Sequence, residues 1–570
     1  MKLKYTLSFS EPHTHYMEVE MHISEITAKQ LLLKMAVWTP GSYLIREFQK
    51  NIDKVECIKN NEIIRLEKQD KNTWIVNTQN TSSVVIKYRI YCFEYSVRTN
   101  FVDDTHALIN GASTFLYIDG QEHLKSEIEI KQHKRWDNIS TALPTIENNK
   151  WVRIANNLDE LIDSPIEIGN HISYFFDAAN VSHELAIYGQ SNCIIEKFIN
   201  DLKKIIETEV AIFGSHPCMH YVFIIHNTDN SYGGLEHAHS SVNHITRWSY
   251  NIENYQRTIS LLAHEYFHLW NVKRIRPKAF IPFNYTTENY TELLWFFEGI
   301  TSYYDDYICY RAGVTSKEKF YQIVANNIND VVNTSGADTQ TLAEASYDTW
   351  LKYYRRNENS SNTQINYYTH GALIAMVFDF MIMQATKGEK CLDDVMRILY
   401  EEYLKHPNKG ITHKDILAVF NSVSGLDFEP PFQQYIFTCS LPDIDLFLDL
   451  MGIELINTTE EDTVFLGLST QWKEGKLMIS KLDKQYGAYK GGLSVEDEII
   501  AIDRFRINKE FSNIYAHKTV NDTIEVLVSR QGVIMSYTIS LTEDKRKRFR
   551  LSERKNKDEL QYILHKKWLE

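Results

Sequence analysis

The spacing of apolar residues changes twice along this chain, and the two changes limit what it can fold into. Up to about residue 170, apolar and polar residues alternate, as over 17–23 and 84–92, which predicts antiparallel strands. From about residue 180 the repeat lengthens to that of amphipathic helices, of which 194–213 is the clearest. After about residue 450, short strands return between glycine turns. The pattern predicts a multidomain α+β protein with an N-terminal antiparallel β domain, a mainly helical middle domain and a C-terminal β domain.

The length also requires several domains, because single hydrophobic cores stop growing at about 250–300 residues and this chain has 570. We expect the N-terminal domain over 1–175, the middle domain over 176–450 and the third domain over 451–545. The remaining stretch, 546–570, mixes basic and acidic residues with few apolar ones. We expect a solvated terminal helix or a frayed arm there, and not a docking site.

Charge and composition exclude several classes of partner. The formal net charge of −14 at pH 7 repels phosphate backbones and anionic headgroups, so we do not expect nucleic acid binding. No stretch approaches the roughly 20 apolar residues of a membrane span, and the first residues do not resemble a secretory signal. The seven cysteines have neither metal-type nor disulfide-framework spacing. Reduced thiols in a cytoplasmic protein fit this pattern best.

The strongest chemical signal is the run HEYFH at 264–268, inside a stretch predicted to be helical over 258–272. His264 and His268 are four residues apart, so they share a helix face and can bind one Zn²⁺ at about 2.0–2.1 Å. Glu265 would then lie near the open coordination position. A pair of buried histidines without metal is the alternative, since the chain contains 21 histidines.

A zinc hydrolase also needs a third protein ligand and an open position for water. The run WFFEGITSYY at 295–304 contains the main candidate, Glu298, among aromatic residues. An unpaired carboxylate there would cost several kcal/mol, and a nearby dication would offset that cost. Glu292 and Asp305 compete for this role. Asp305 can instead accept a hydrogen bond from a ligand histidine.

The glycine loop Gly233-Gly234-Leu235-Glu236 is a candidate site for the N-terminus of a substrate. Glycines let the backbone approach a substrate closely, and Glu236 can pair with a free α-ammonium group. Such a pairing would make the enzyme an exopeptidase. The same residues equally suit a turn with a surface glutamate.

The pair Tyr367 and Tyr368 precedes a strongly apolar predicted helix. A tyrosine hydroxyl at that helix start can donate to a developing oxyanion, which is usually the largest electrostatic contribution in hydrolysis. With 34 tyrosines in the chain, chance would also place one here.

Together these motifs resemble the glycyl aminopeptidase family, gluzincin metallopeptidases with a β-rich N-terminal domain, a thermolysin-like catalytic domain and a C-terminal PDZ domain. The resemblance covers nearly the whole chain. Its markers are WTPGSYLIREF at 38–48, HEYFHLWNVKRIRP at 264–277 and EGITSYY at 298–304.

The resemblance implies a zinc-dependent aminopeptidase that acts on peptides with a free N-terminus and prefers Gly or Ala as the first residue. It implies that one Zn²⁺ per chain is bound by His264, His268 and Glu298. It also implies that Glu265 is the general base and then the general acid.

The resemblance further implies which residues contact the substrate. Gly233, Gly234 and Glu236 correspond to the exopeptidase loop, with the carboxylate on the substrate amine. Tyr368 stabilises the oxyanion, or the preceding tyrosine does so if the register is off by one. The chain departs from the family pattern at His370, where related sequences usually carry lysine.

The third domain resembles a PDZ module. Phe465, Leu466, Gly467 and Leu468 would form its carboxylate-binding loop, whose backbone N–H groups receive a peptide C-terminus by strand addition. A merely structural domain is the alternative.

Two other functions compete with the aminopeptidase. The chain could be a zinc endopeptidase, which cleaves internal peptide bonds. It could also be a PDZ scaffold with a relict catalytic domain. The intact HEYFH run and Glu298 argue against a relict, because such a site should have lost at least one of these residues.

Overall fold

The computed structural model describes residues 1–460, 463–508 and 511–569. The chain forms two compact units. The first comprises Met1–Tyr290, Tyr304–Thr315 and Asp393–Ile416; the second comprises Thr291–Tyr303, Ser316–Leu392 and the chain from Leu417 onward. Among the described residues, no helix has the length and apolar character needed to cross a membrane.

The first unit begins with a set of strands and one short helix. In chain order they are β1 Lys2–Ser8, β2 Tyr16–Ser24, β3 Gln30–Lys34, β4 Ile52–Lys59, β5 Glu62–Arg65, β6 Glu67–Asp70, β7 Thr73–Asn77, β8 Ser83–Tyr91, β9 Phe101–Val102, β10 His106–Ile109, β11 Tyr117–Ile118, β12 Ser126–Ile130, β13 Asn138–Ser140, β14 Thr145–Ile146, β15 Asn149–Ala155, α1 Leu158–Ile162 and β16 Ile166–Gly169. The strands form three sheets, in the orders β14-β15-β12-β1-β2-β8-β4-β5, β13-β16-β10-β9 and β11-β3-β7-β6.

The alternation read from the sequence is confirmed in β2. Met17, Val19, Met21 and Ile23 are buried and the residues between them are half-buried, as expected for a strand with one face on a core. The strand pairs antiparallel with β1 and β8. The strands β1 and β12 pair in parallel, which differs from the predicted antiparallel domain.

A second group of elements in this unit builds a mixed sheet. They are β17 Ile172–Ala178, β18 Val181–Tyr188, α2 Ile195–Phe213, β19 His220–Thr228, β20 Gly233–Glu236 and β21 Ser240–Thr246, and the strand order is β17-β18-β19-β21-β20. Helix α2 connects the parallel strands β18 and β19, as a crossover between parallel strands requires. Strand β19 is buried along almost its whole length, which explains its continuous apolar run.

The middle of the chain is mainly helical, as predicted. Its helices are α3 Tyr255–Phe267, a π-helix Trp295–Ile300 that runs directly into α4 Thr301–Arg311, α5 Lys317–Val332, α6 Leu342–Tyr347, α7 Ser360–Thr363, α8 Tyr367–Ala385, α9 Leu392–Lys405, α10 His413–Ser424, α11 Glu429–Ile436 and α12 Ile444–Leu450. Within the second unit, the π-helix crosses α8 where two glycines meet. A Cβ on Gly299 would lie 2.5 Å from the Cα of Gly371, so this close crossing requires glycine.

The C-terminal part of the second unit is a β module. Its elements are β22 Ile453–Asn457, β23 Val464–Phe465, β24 Leu468–Lys473, β25 Lys476–Leu482, α13 Gly487–Lys490, β26 Glu498–Ile502, β27 Phe505–Arg506, β28 Thr523–Arg530, β29 Val533–Ser540, β30 Thr542–Glu543, β31 Phe549–Glu553 and α14 Glu559–Leu569. Its main sheet has the order β24-β25-β26-β28-β29 with β27 on β26, and its buried apolar residues form a core of their own.

The prediction of a solvated C-terminal arm is wrong for the described part of 546–570. Strand β31 pairs antiparallel with β22. In α14, Leu564 and Trp568 are buried, and the indole packs against Phe320 and Phe380 at ring-centroid distances of 5.6 and 4.9 Å. Leu564 and Trp568 lie four residues apart on one helix face, which is enough to dock the helix. Glu570 lies outside the described residues.

Candidate metal centre

Helix α3 presents the two histidines predicted to bind a metal. Its buried residues, Leu262 and Tyr266 among them, hold one side of the helix in the interior of the unit. The helix ends at Phe267, earlier than predicted, and His268 caps it with helical backbone angles of φ −61° and ψ −16°. His264 and His268 therefore keep the spacing of one helical turn.

Each imidazole makes a hydrogen bond through its Nδ1 atom, and the two Nε2 atoms face each other. Nδ1 of His264 donates to Oδ2 of Asp305 at 3.0 Å, and Nδ1 of His268 donates to the carbonyl of Asn271 at 2.8 Å. These partners fix the tautomer that leaves each Nε2 available for a metal. The two Nε2 atoms are 3.1 Å apart, close to the roughly 3.3 Å that separates two nitrogen ligands of one tetrahedral zinc.

Glu298, the predicted third ligand, is buried in the π-helix Trp295–Ile300. The π-helix that carries Glu298 continues into α4, which carries Asp305. Of the two competitors for the third ligand, Asp305 accepts the hydrogen bond from His264, as its alternative role predicted, and Glu292 is exposed. Two imidazoles and one carboxylate are a donor set that suits Zn²⁺.

Glu265 lies beside the histidines because a glycine makes room for it. Donor atoms of Glu236, Glu265 and His268 lie within 4.8 Å of one another, and all three residues are buried. A Cβ on Gly234 would lie 2.5 Å from Cγ of Glu265, much shorter than an ordinary van der Waals contact of 3.4 Å or more. Gly234 is therefore needed for the position of the Glu265 carboxylate.

The Glu236 carboxylate is enclosed in the same way. A Cβ on Gly41 would lie 2.6 Å from Oε1 of Glu236, and Gly41 has a φ of +85°. Glycine is therefore required at this position both for space and for the backbone conformation. Glu236 is 4% exposed, and among the described residues its Oε1 has no hydrogen-bond partner. Glu236 is therefore not a surface residue. A buried acceptor without a partner costs free energy, which a bound cation or N–H donor would recover.

The sequence analysis missed two further acids near His264. Glu209, on α2, is fully buried, and neither of its carboxylate oxygens has a hydrogen-bond partner among the described residues. Burial raises the pKa of Glu209 well above its usual value, although His264 opposes the shift. Burial, aided by Asp305, raises the pKa of Asp306 to about 7. A glutamate on the apolar face of an amphipathic helix was the available signal for Glu209.

The two tyrosines at the start of α8 lie in different surroundings. Tyr367 is buried and its hydroxyl shares a hydrogen bond of 2.9 Å with Thr349 Oγ1, which makes it a core residue. Tyr368 is half-buried, and burial followed by the charge of Glu298 raises its pKa, so the hydroxyl stays protonated. Burial lowers the pKa of His370 to about 4, so this histidine is neutral where a lysine would be charged.

A second group, His106, Glu167 and His226, also brings three donor atoms within 4.8 Å of one another in a fully buried place. Its carboxylate already accepts from both imidazoles, at 2.8 Å from His106 Nδ1 and 2.9 Å from His226 Nε2. Among the described residues, the outer Nδ1 of His226 has no hydrogen-bond partner, whereas metal-binding histidines almost always have one. These contacts are typical of a buried hydrogen-bonded cluster, and the α3 histidines are the better metal candidates.

The predicted carboxylate-binding loop lies between two strands of the C-terminal module. Phe465 ends β23, Leu466 and Gly467 form the connection, and Leu468 begins β24. Leu466 is buried, and its carbonyl accepts from the N–H of Ala488 at 3.0 Å.

Comparison with protein families gave two matches along the chain. The family model for the Peptidase M61 N-terminal domain matches residues 4–170, and the model for the M61 glycyl aminopeptidase matches residues 257–374. The second match includes the histidine pair, Glu298 and Tyr368. A comparison with curated proteins gave no match.

Solved structures that are similar to this chain include peptidases. A crystal structure described as an aminopeptidase N family protein from Idiomarina loihiensis has 28% sequence identity and a TM-score of 0.93, covering 99% of this chain and 100% of its own. An M1 zinc metallopeptidase from Deinococcus radiodurans has 10% identity and a TM-score of 0.49, covering 78% of this chain and 95% of its own. The second similarity is too weak to support an argument.

Proposed function

Because the chain belongs to the M61 glycyl aminopeptidase family, we propose that it is a zinc-dependent aminopeptidase that removes the first residue from peptides. One observation carries the proposal. A buried carboxylate, Glu236, lies with the candidate base Glu265 beside one histidine of the metal pair, His268. A free α-ammonium group is the part of a peptide that such a carboxylate binds best.

We assign the metal to His264, His268 and Glu298, with one Zn²⁺ per chain. When bound, zinc lowers the pKa of a coordinated water to about 7 and polarises the substrate carbonyl. The donor set supports this assignment, because both imidazoles are oriented by hydrogen bonds from their outer nitrogens and the carboxylate is buried.

Two side chains near the proposed metal supply proton transfer and oxyanion stabilisation in peptide hydrolysis. Glu265 takes a proton from the attacking water and then delivers it to the departing amine, as general base and general acid. The hydroxyl of Tyr368 donates to the oxyanion that forms on the scissile carbonyl. The raised pKa of this tyrosine keeps its proton in place at neutral pH.

Glu236 determines which bond is cut. Its carboxylate pairs with the substrate's α-ammonium group, and a substrate held in that way presents its first peptide bond to the metal and Glu265. An internal peptide bond has no ammonium group to offer, so the same carboxylate disfavours endopeptidase activity. We further propose a preference for Gly or Ala as the first residue, which the family resemblance supports.

Blocking the substrate amine tests this proposal. Alanine p-nitroanilide should be hydrolysed, and its N-acetyl derivative should not, because acetylation removes the charge that Glu236 binds. Glu236→Gln should raise KM for the free amine by about 10- to 100-fold, the value of one charge-assisted hydrogen bond. Glu127→Gln, at a partly exposed ion pair with Lys4, is the matched control and should behave like the wild type. Comparable hydrolysis of the acetylated substrate would refute the aminopeptidase and favour an endopeptidase.

A chelator separates the enzyme from a relict scaffold. Hydrolysis of alanine p-nitroanilide should stop after zinc is removed and return when zinc is restored. A zinc-loaded protein with no activity on any free-amine substrate would favour the relict.

We also propose that the C-terminal module is PDZ-like and binds a peptide C-terminus at the loop Phe465–Leu468. The position of β24 at the edge of its sheet supports strand addition beside this loop. Titration with a library of peptides that have free or amidated C-termini tests the idea. Binding should require the free carboxylate, and equal binding of amidated peptides would contradict it.

A further inference from the structure

The segment 271–274 follows the metal-binding helix directly and belongs to the marker HEYFHLWNVKRIRP, but the reaction above gives it no role. Two hydrogen bonds connect this segment to His268. Nδ1 of His268 donates to the carbonyl of Asn271 at 2.8 Å, and the N–H of Lys273 donates to the carbonyl of His268 at 3.1 Å. Val272 has a φ of +129°, which β-branched residues rarely adopt and which only surrounding contacts can maintain. The segment therefore has a fixed shape next to the histidine.

The segment 271–274 is connected to a second feature, the turn at residues 237–239 that follows Glu236. Asp163, just beyond α1, binds this turn with both carboxylate oxygens. Its Oδ1 is 2.9 Å from Nδ1 of His237, and its Oδ2 accepts from the backbone N–H of Ala238 at 2.9 Å. The residue next to the amine-binding carboxylate is thus held through its side chain, and the following residue through its backbone.

Two basic side chains of the segment 271–274 connect it to this turn and to Asp163. Nζ of Lys273 donates to Oδ1 of Asp163 at 2.9 Å, and Nη1 of Arg274 donates to the carbonyl of Ala238 at 2.6 Å. The side chains of Lys273 and Asp163 are only 7% and 15% exposed, so salt screens their attraction little. Burial acts to raise the pKa of Asp163, but Lys273 and His237 outweigh it and hold that pKa well below its usual value, so the carboxylate stays charged.

We propose that Asp163 and Lys273 are positioning residues that hold the carboxylate of Glu236 at a fixed distance from the metal-binding helix. The inference rests on the proposed function, in which Glu236 binds the substrate amine. The separation between amine anchor and metal decides that only the first peptide bond reaches the metal. Neither residue needs to touch the substrate, because each acts through the turn at 237–239.

A pair of metal-binding inhibitors measures the position of Glu236 without turnover. Alanine hydroxamate carries a free α-amine, and propionohydroxamate lacks only that amine. On the zinc-loaded full chain, alanine hydroxamate should bind about 10- to 100-fold more tightly, the value of a charge-assisted hydrogen bond. Lys273→Met and Asp163→Asn should reduce that ratio by about tenfold or more, since a shift of about 1 Å is enough to lose such a contact. Bound zinc and the affinity for propionohydroxamate should stay at wild-type values.

Further variants keep the test decisive. Lys273→Gln removes the charge but keeps a donor, and serves if the methionine variant does not fold; it should reduce the ratio less than Lys273→Met does. Lys34→Met breaks an unrelated ion pair with Asp119 by the same replacement and should leave the ratio unchanged. A wild-type protein that binds the two hydroxamates equally tightly would refute the proposed function itself. A wild-type protein that prefers the amine, together with Lys273 and Asp163 variants that keep the full preference and their zinc, would overturn only the positioning role.

Discussion

Replacing Gly234 by alanine tests whether the position of Glu265 is as critical as the proposed reaction requires. The backbone at 234 is not in the left-handed region, so the change adds no backbone strain. The new Cβ would lie 2.5 Å from Cγ of Glu265, and an ordinary contact needs at least 3.4 Å. The carboxylate must therefore move by about 1 Å, and a displacement of that size can lower kcat by about 100-fold, or about 2.7 kcal/mol of transition-state stabilisation.

Steady-state kinetics with alanine p-nitroanilide, together with zinc analysis, give the result. We expect a large loss in kcat with one zinc per chain retained, because the three atoms nearest to the new methyl group all belong to Glu265 and not to a histidine. Gly214→Ala controls for an added methyl group that leaves Glu265 in place. A Cβ at the end of α2 would meet nothing within 4 Å, and the φ of +83° there should cost stability but leave kcat at the wild-type value. A Gly234→Ala enzyme with kcat within about threefold of wild type would refute the reasoning, since so small a change is below 1 kcal/mol.

Three other predictions follow from the same contacts. Glu265→Gln should keep its zinc and lose at least about 1,000-fold in kcat; near-normal turnover would exclude Glu265 as the base. Burial lowers the pKa of His183 to about 3 and that of His216 to about 4, so the unfolded chain binds more protons below pH 6.5. Tm should therefore fall as the pH drops from about 6.5 to 4, less steeply in His183→Gln; equal slopes would contradict this. Trp568→Ala should cost about 3–5 kcal/mol in denaturant unfolding, whereas a loss under about 0.5 kcal/mol is what a solvated helix would show.

The sequence predicts elements best where one physical pattern dominates. Alternation in β2 follows directly from one buried face, and the histidine spacing in α3 survives although the helix ends at Phe267. The role of Asp305 as the partner of His264 was available as an alternative, because metal-binding histidines need such an acceptor.

Features that depend on distant parts of the chain could not be predicted in the same way. Nothing local to Gly41 shows that its missing side chain leaves space for Glu236, almost two hundred positions later. The parallel pairing of β1 with β12 and the docking of Trp568 between Phe320 and Phe380 are likewise long-range. Such contacts are decided by packing and not by the period of apolar residues, so a charged composition gave the wrong prediction for the tail.

The central claim is that a single zinc is bound by His264, His268 and Glu298, and anomalous diffraction at the zinc absorption edge tests it most directly. A crystal of the zinc-loaded protein should show one strong peak, about 2.0–2.2 Å from Nε2 of both histidines and from a carboxylate oxygen of Glu298. A crystal with no peak at that position, or with its only peak among His106, Glu167 and His226, would contradict the account.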